Sequence, residues 1–134
     1  MKIGIVVSEY NYDITMMMLE RAIDHVKFLG GEVSEVLKVP GTFEIPLGVK
    51  RLIEAGNVDG VVTLGAVIQG ETDHDDIIMQ NAARKIMDIS IETGMPVSLG
   101  ITGPGQTRLQ AEARIEKARS AVEAVVKMLK ANKN

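Results

Sequence analysis

The sequence contains no cysteine and only two histidines among its 134 residues. Without thiols, disulfide bonds, cysteine nucleophiles and thiolate metal sites are excluded. The two histidines, His25 and His74, fall in different predicted elements and lack the His-x-x-x-His spacing of a helical zinc site. A metal site would have to be assembled from carboxylates, and we expect none.

A strong excess of charge is lacking as well, since the formal net charge is -3 and the isoelectric point is about 5.4. This balance gives no general electrostatic reason to bind nucleic acid or an anionic membrane. The first apolar run, residues 3–7, is interrupted by Ser8 and Glu9, so it is too short for a signal peptide or a membrane span. We expect a cytoplasmic protein with neither nucleic-acid nor membrane partners.

The composition that remains is that of an ordinary globular protein, with 46% hydrophobic and 25% charged residues. A chain of 134 residues is long enough to bury one sizeable core but not two. We therefore expect a single domain over residues 1–134, with one site per chain.

Four apolar strand patterns alternate with helical patterns along the chain. The strands are predicted at 2–8, 32–39, 60–68 and 96–101, and the helices at 14–29, 46–55, 75–93 and in one long segment after a Gly/Pro-rich turn at 102–107. This alternation predicts an α/β three-layer sandwich with a parallel sheet, and flavodoxin-like strand order 2-1-3-4 is the natural choice. The last residues, 132–134, are expected to fray.

Polar loops collect at one edge of this predicted sheet, where the strands have their carboxyl ends. The four segments are residues 9–11, 41–44, 69–74 and 102–106, whereas the opposite loops are plain helix stops. With order 2-1-3-4, the switch point brings Tyr10 and Asn11 opposite residues 69–74 across one crevice, where α/β sheets bind ligands. The alternative is that such loops are polar in any case.

Two of the few aromatic residues, Tyr10 and Phe43, lie in these loops. They could grip a flat ring between them, or they could simply anchor the loops. Glu44 could bind a polyol or an amide N–H, or it could complement the dipole of the helix that starts there. His74 can both accept and donate a proton near neutral pH, which suits general acid–base chemistry, although an exposed helix-start residue is the plainer reading.

A phosphate group could rest on backbone amides at residues 70–72 or 103–106, because both loops precede a helix. The first loop cannot do this alone, since it is crowded by carboxylates from Glu71, Asp73, Asp75 and Asp76. A cation must help, and the candidates are Arg108 and Arg114, the latter expected about two turns into the last helix.

The chain resembles the 6,7-dimethyl-8-ribityllumazine synthase family over nearly its whole length. The resemblance is carried by IVVSEYN at residues 5–11, VPGTFEIP at residues 39–46 and TLGAVIQGETDH at residues 63–74, while GITGPGQTRLQ at residues 100–110 resembles the archaeal branch. It implies a transferase of riboflavin biosynthesis that condenses 5-amino-6-(D-ribitylamino)uracil with 3,4-dihydroxy-2-butanone 4-phosphate and releases phosphate. It implies no metal or redox cofactor.

The resemblance also implies a role for each matching residue. The pyrimidine and ribityl chain would contact Tyr10, Thr42, Phe43, Glu44, Val67, Ile68, Gln69 and Leu99, the phosphate would contact Glu71, Thr72 and Arg114, and His74 would move protons. The family usually has Phe at the position of Tyr10. The last helix also departs from better-known members, so Arg108 stays a rival for the phosphate.

Three further readings remain open at this point. An archaeal-type riboflavin synthase shares the fold, but the intact Thr42-Phe43-Glu44 and Asp73-His74 segments favour the lumazine-forming enzyme. A non-catalytic α/β module of the receiver type would need an acidic pair after strand 1 and an Asp after strand 3, and neither is found. Family members also form pentamers and often icosahedral capsids with sites between neighbours, so we expect self-association of a size that the sequence leaves open.

Overall fold

The computed structural model describes residues 1–131, in which every strand is followed by helical structure. In chain order the elements are β1 (Lys2–Ser8), α1 (Tyr12–Phe28), β2 (Glu32–Val39), a 3₁₀ turn (Thr42–Glu44), α2 (Ile45–Ala55), β3 (Gly60–Ile68), α3 (Asp75–Thr93), β4 (Val97–Gln106), α4 (Arg108–Ala113) and α5 (Lys117–Ala131). The expected fraying of residues 132–134 lies outside the described residues.

The sheet is parallel throughout with strand order β2-β1-β3-β4, which confirms the predicted topology. All nine residues of β3 are buried, as expected for a strand covered on both faces. Successive side chains point to opposite faces, so Val62 and Leu64 join a cluster with α1 and α5 while Val61 and Val67 join a second with α2 and α3. The result is the predicted three-layer α/β sandwich.

The fourth strand is longer than predicted, because residues 102–106, expected to form a turn, belong to β4. Its pairing with β3 runs regularly to Ala66↔Thr102, shifts register, and resumes at Ile68↔Gln106. Gly103 permits this course, since its φ is +97° and a Cβ there would lie 2.2 Å from the Val67 carbonyl oxygen. Gly103, which as a glycine favoured a turn, here allows close approach of the β3 and β4 backbones.

The predicted long final helix is also wrong, because it is divided into α4 and α5. A capping box at Thr107 starts α4: the Gln110 N–H donates to Thr107 Oγ1 at 3.1 Å, and the Thr107 N–H donates to Gln110 Oε1 at 2.9 Å. The two helices are separated by tight turns in which an N–H donates to the carbonyl three residues earlier. In one of them the Lys117 N–H donates to the Arg114 carbonyl at 2.9 Å. Arg114 therefore follows the end of α4 instead of lying inside a continuous helix.

Two smaller features complete the architecture. Helix α1 begins at Tyr12, two residues earlier than predicted, directly after Asn11 in a left-handed conformation with φ 61°. Across residues 1–131, no helix is both long and apolar enough to cross a membrane.

Candidate active site

A cleft of about 550 Å³ opens at the carboxyl ends of β1, β2 and β3. This is the sheet edge and the switch point that the strand order predicts for a ligand site. The cleft brings together six of the predicted site residues with four others: Tyr10, Gly41, Thr42, Phe43, Ala66, Val67, Glu71, Thr72, Asp75 and Ile78.

The Asn11 side chain ties the β1 loop to the β3 loop across this crevice. Its Nδ2 donates to the Ala66 carbonyl and to Glu71 Oε1, both at 2.9 Å. Glu71 Oε1 also accepts the Ile68 N–H at 3.2 Å. The Glu71 carboxylate is thus engaged in holding the loop, and the Glu71 N–H donates to the Ile68 carbonyl at 3.4 Å, a long hydrogen bond that a ligand would have to displace.

Two aromatic rings at the cleft remain largely outside the core. The Tyr10 residue is 54% exposed and Phe43 is 74% exposed. Within residues 1–131 the Tyr10 hydroxyl has no hydrogen-bond partner, so its added oxygen faces solvent. Apolar rings that packing does not use offer stacking surfaces for a flat ligand.

Glu44 lies next to the cleft, at the end of the 3₁₀ turn and immediately before α2. Its carboxylate makes no capping hydrogen bond to that helix. The absence of a capping hydrogen bond leaves the dipole alternative open, because Glu44 is the N-cap residue of α2 and its charge lies at the positive end of that helix. The partly exposed carboxylate stays available to a donor at the rim of the cleft.

The loop between β3 and α3 carries its own anion. The Asp75 carboxylate accepts the Gly70 N–H at 3.1 Å, the Thr72 N–H at 3.2 Å and the Thr72 hydroxyl at 2.7 Å. Thr72 Oγ1 in turn accepts the His74 N–H at 3.1 Å. A phosphate that used the Thr72 amide would therefore compete with Asp75.

His74 is exposed at the start of α3 and lines a second depression, which adjoins the cleft. Thr72 and Asp75 contribute to both, so the imidazole lies beside the cleft and not inside it. The second depression has a volume of about 840 Å³ and also includes Gln69 and Gly105. A ligand seated on the aromatic rings and extending past Thr72 would reach His74.

Ile68 differs from the other predicted binding residues because its side chain points away from the cleft. It is 8% exposed and belongs to the core cluster with α1 and α5. Its neighbour Val67 points to the opposite face and lines the cleft. The Ile68 main chain is also engaged, because its N–H donates to Glu71 Oε1 and its carbonyl accepts the Glu71 N–H.

The two candidate arginines have different partners. Arg108 forms an ion pair with Asp13 in the first turn of α1. Arg114 instead donates from Nη1 to the neutral Gln106 Oε1 at 2.9 Å, in a depression near Thr102, Gly103 and Lys117. Glu116 lines the same depression but is paired with Arg21 and Arg119, so within residues 1–131 Arg114 has no carboxylate in an ion pair with it.

The structure does not bring Arg114 and Leu99 to the aromatic cleft. Leu99 is 39% exposed on β4, the terminal strand of the sheet, and Arg114 lies in the depression beside the same strand. Neither residue lines the cleft that contains Tyr10 and Phe43. Within one chain the predicted phosphate site is divided.

Known proteins match this chain over almost its full length. Residues 1–133 match the family model described as 6,7-dimethyl-8-ribityllumazine synthase. The chain belongs to this family.

Individual relatives agree with the family model. The 6,7-dimethyl-8-ribityllumazine synthase of Picrophilus torridus is 61% identical over 129 residues, covering 96% of this chain and 95% of that protein. Those of Archaeoglobus fulgidus and Staphylothermus marinus are 57% and 58% identical, covering 96% and 99% of this chain and 90% and 89% of those proteins. The predicted lumazine synthase family and the prediction of a riboflavin-biosynthesis transferase are confirmed, whereas the riboflavin synthase and non-catalytic alternatives are not favoured.

The lumazine synthase fold places some cleft residues that the sequence patterns did not single out. Ile78 has the helical spacing of the buried Ala82 and Ile86 on α3, a pattern that predicts core packing, yet it lines the cleft. The contact between Asp75 and Thr72 could have been predicted from the sequence, since Thr72-x-x-Asp75 has the spacing of a helix-capping motif. Among residues 1–131 no cluster of three or more His, Asp or Glu side chains is placed to hold a metal ion.

Proposed function

We propose that this chain condenses 5-amino-6-(D-ribitylamino)uracil with 3,4-dihydroxy-2-butanone 4-phosphate to form 6,7-dimethyl-8-ribityllumazine and release phosphate. The observation that carries the proposal is the cleft at the switch point, where two exposed aromatic rings adjoin the loop that bears His74. Family membership supplies the reaction, and this geometry supplies a place for it.

The pyrimidine ring stacks against Tyr10 and Phe43 in this proposal. The hydroxyl of Thr42 and the carboxylate of Glu44 meet the polar edge and the ribityl chain. Val67 contributes its side chain to the floor of the cleft. Gln69 contributes its main-chain carbonyl at the end of β3, since its N–H donates to Gln106. Ile68 has a buried side chain and main-chain groups bonded to Glu71, so it binds substrate only where the substrate displaces Glu71.

The reaction mainly requires the protein to orient the two substrates and to provide one group that transfers protons. The amine of the uracil attacks the ketone carbonyl, and water leaves to give an imine. The imine then loses a proton and phosphate. Ring closure with loss of a second water completes the product. Holding two reactive partners together supplies much of the rate increase. His74, beside the cleft, accepts and returns the protons, a contribution of about 10²- to 10⁴-fold for a general acid–base group.

The phosphate of the butanone substrate binds the N–H groups of Glu71 and Thr72, where it displaces the Ile68 carbonyl and the Asp75 carboxylate, and it also binds a guanidinium. We assign this guanidinium to Arg114 because Arg108 is already paired with Asp13. The Gln106 amide that contacts Arg114 is neutral, so the guanidinium retains its charge for the phosphate.

Because Arg114 and Leu99 lie beside β4 and not in the cleft, a second copy of the chain completes the site in this proposal. The second copy presents its β4 side to the cleft, so that its Arg114 reaches the Thr72 loop. Pentamers or larger shells, as expected from the family resemblance, would provide such contacts around a ring. The partners are thus small molecules and further copies of the chain, and the expected compartment is the cytoplasm.

Incubation of the purified chain with both substrates tests the proposal. We expect lumazine, measured by its fluorescence, and inorganic phosphate to form in equal amounts with no added metal. The uracil alone should give no lumazine. Riboflavin formation from lumazine alone would favour the riboflavin synthase alternative, and the absence of lumazine would contradict the proposal. Native mass spectrometry of the same sample should show an oligomer, since a monomer could not complete the site.

A further inference from the structure

Gln106 is a completely buried polar side chain at the end of β4, with an exposed fraction of 0%. Its amide has two partners: Nε2 donates to Thr102 Oγ1 at 2.8 Å, and Oε1 accepts from Arg114 Nη1 at 2.9 Å. A buried amide without partners is costly, so both hydrogen bonds are needed to keep the side chain in place.

The arginine determines which way this amide points, because a guanidinium can only donate, and the neighbouring hydroxyl fits the same orientation. Thr102 Oγ1 is buried and donates to the Gly65 carbonyl at 3.5 Å, which leaves its oxygen to accept from the Gln106 NH₂ group. The Gln106 carbonyl oxygen is then the atom that faces Arg114. The three hydrogen bonds form a chain in which Arg114 donates to Gln106, Gln106 donates to Thr102 and Thr102 donates to the Gly65 carbonyl.

The main chain of Gln106 is anchored to the strand that leads into the catalytic loop. Gln106 pairs with Ile68, and its carbonyl accepts the Gln69 N–H at 2.8 Å. The position of the Arg114 guanidinium is thereby tied to the end of β3. Arg114 has few other constraints, since it is exposed in the break between α4 and α5.

The chemistry of the partner separates Arg114 from Arg108. Asp13 orients Arg108 and also neutralises it, whereas Gln106 orients Arg114 without cancelling its charge. One guanidinium N–H is used in the contact, and a bidentate phosphate contact needs only two of the remaining four. A neutral, buried acceptor is thus suited to holding a cation ready for an anion.

We propose that Gln106 is a positioning residue, which presents the Arg114 guanidinium to the substrate phosphate while leaving its charge free. This rests on the proposed function, because it assigns Arg114 to the phosphate. Gln106 itself touches no substrate. Its effect is therefore confined to steps that involve the phosphate.

Gln106→Met removes the acceptor while keeping a side chain of similar length that suits a buried site. We expect the KM for the butanone phosphate and the Ki for inorganic phosphate to rise about tenfold. The KM for the uracil should stay within about twofold. Gln106→Glu keeps an acceptor but pairs the arginine with a carboxylate, so it should weaken phosphate binding at least as much.

The Arg114→Ala background distinguishes positioning from a general structural effect. Once Arg114 is absent, Gln106→Met should change neither the phosphate-substrate KM nor the phosphate Ki further. Equal losses in both backgrounds, or a fall in kcat with unchanged phosphate affinity, would overturn the proposal. If Gln106→Met does not fold, Thr102→Val and Thr102→Ser give the same test: Val removes the hydroxyl that fixes the amide and should raise the phosphate Ki, and Ser should restore it.

The failure of this proposal can be told apart from failure of the proposed function. An inactive wild-type chain overturns both. An active wild type whose phosphate Ki is unchanged by Arg114→Ala overturns the assignment of Arg114 and this proposal with it. An active wild type with an Arg114→Ala effect but no Gln106→Met effect overturns only the positioning role.

Discussion

The side chains of Asn11 and Glu71, 60 residues apart in the sequence, are joined by a 2.9 Å hydrogen bond across the switch point of the sheet. The same Asn11 amide reaches the Ala66 carbonyl, also at 2.9 Å. Two loops that each line the cleft are therefore held at a fixed separation by one side chain. Stability and substrate affinity should both depend on it.

Replacement of Asn11 by glycine should isolate these two hydrogen bonds, because glycine keeps the left-handed backbone with φ 61°. We expect Asn11→Gly to lower the free energy of unfolding by about 1–2 kcal/mol and to raise the KM for the uracil. Asn11→Ala should cost about 1–2 kcal/mol more because alanine does not favour this conformation.

Urea unfolding and steady-state kinetics would measure these effects. Asn81→Ala is the matched control, since the hydrogen bond of the Asn81 amide within residues 1–131 goes to the Ile77 carbonyl of its own helix. An Asn11→Gly variant as stable and as active as the Asn81→Ala variant would contradict the role given to the Asn11 amide.

Glycine at 103 is required by the close approach of β4 to β3. Both Gly103 and Gly105 have positive φ, but only at Gly103 would a Cβ collide, at 2.2 Å from the Val67 carbonyl oxygen. Gly105→Ala should therefore lower the free energy of unfolding by about 1 kcal/mol from backbone strain alone. Gly103→Ala should lower it by at least about 2 kcal/mol more, because the backbone of β3 must also move.

Thermal and urea unfolding of the two alanine variants would decide this point. Equal stabilities would show that the register shift between Ala66 and Ile68 does not constrain Gly103.

The strands could be predicted closely because their signal is strong and local. β1, β2, β3 and α3 begin and end where the apolar runs and the glycine stops place them. The break between α4 and α5 could not be seen, since the tight turns around Arg114 keep Ala111, Ile115 and Ala118 all buried at ordinary helical spacing. The apolar pattern is the same with or without the break.

The candidate site, like the helices and strands, could be predicted only in part. Topology alone puts Tyr10, Phe43 and Val67 at one sheet edge, and they line one cleft. Topology does not say which way a side chain points, so the burial of Ile68 could not be foreseen. Nor does it give the distance between the cleft and Arg114, which depends on the course of residues 102–106 and on contacts between chains.

Asp75 occupies donors that an incoming phosphate would use, and its charge repels that phosphate. Asp75→Asn keeps one oxygen to accept from Thr72, places an NH₂ group opposite the Gly70 N–H and removes the charge. We expect the Ki for inorganic phosphate to fall by about threefold to fivefold, in line with about 1 kcal/mol for two charges near water at 4 Å. The effect should weaken as salt is added.

Inhibition by phosphate at low and moderate salt would measure this effect. Asp76→Asn is the matched control, because Asp76 carries the same charge one residue later and is exposed, whereas the loop hydrogen bonds described within residues 1–131 go to Asp75. If both variants lower the Ki equally, general electrostatics and not displacement of Asp75 governs phosphate binding.

His74 should affect the rate of the reaction far more than the binding of either substrate. It lies beside the cleft, exposed, and only its main chain takes part in the loop, where its N–H donates to Thr72 Oγ1. His74→Asn should therefore preserve the fold and both KM values while lowering kcat about 10- to 1000-fold, since buffer can replace part of a general acid–base contribution of about 10²–10⁴. Added imidazole should restore part of the lost rate. His25→Asn provides the control, because His25 contacts Glu123 on α5 and lies outside the cleft. Full turnover by His74→Asn, or a loss matched by His25→Asn, would remove His74 from the mechanism and leave orientation of the two substrates as the source of the rate.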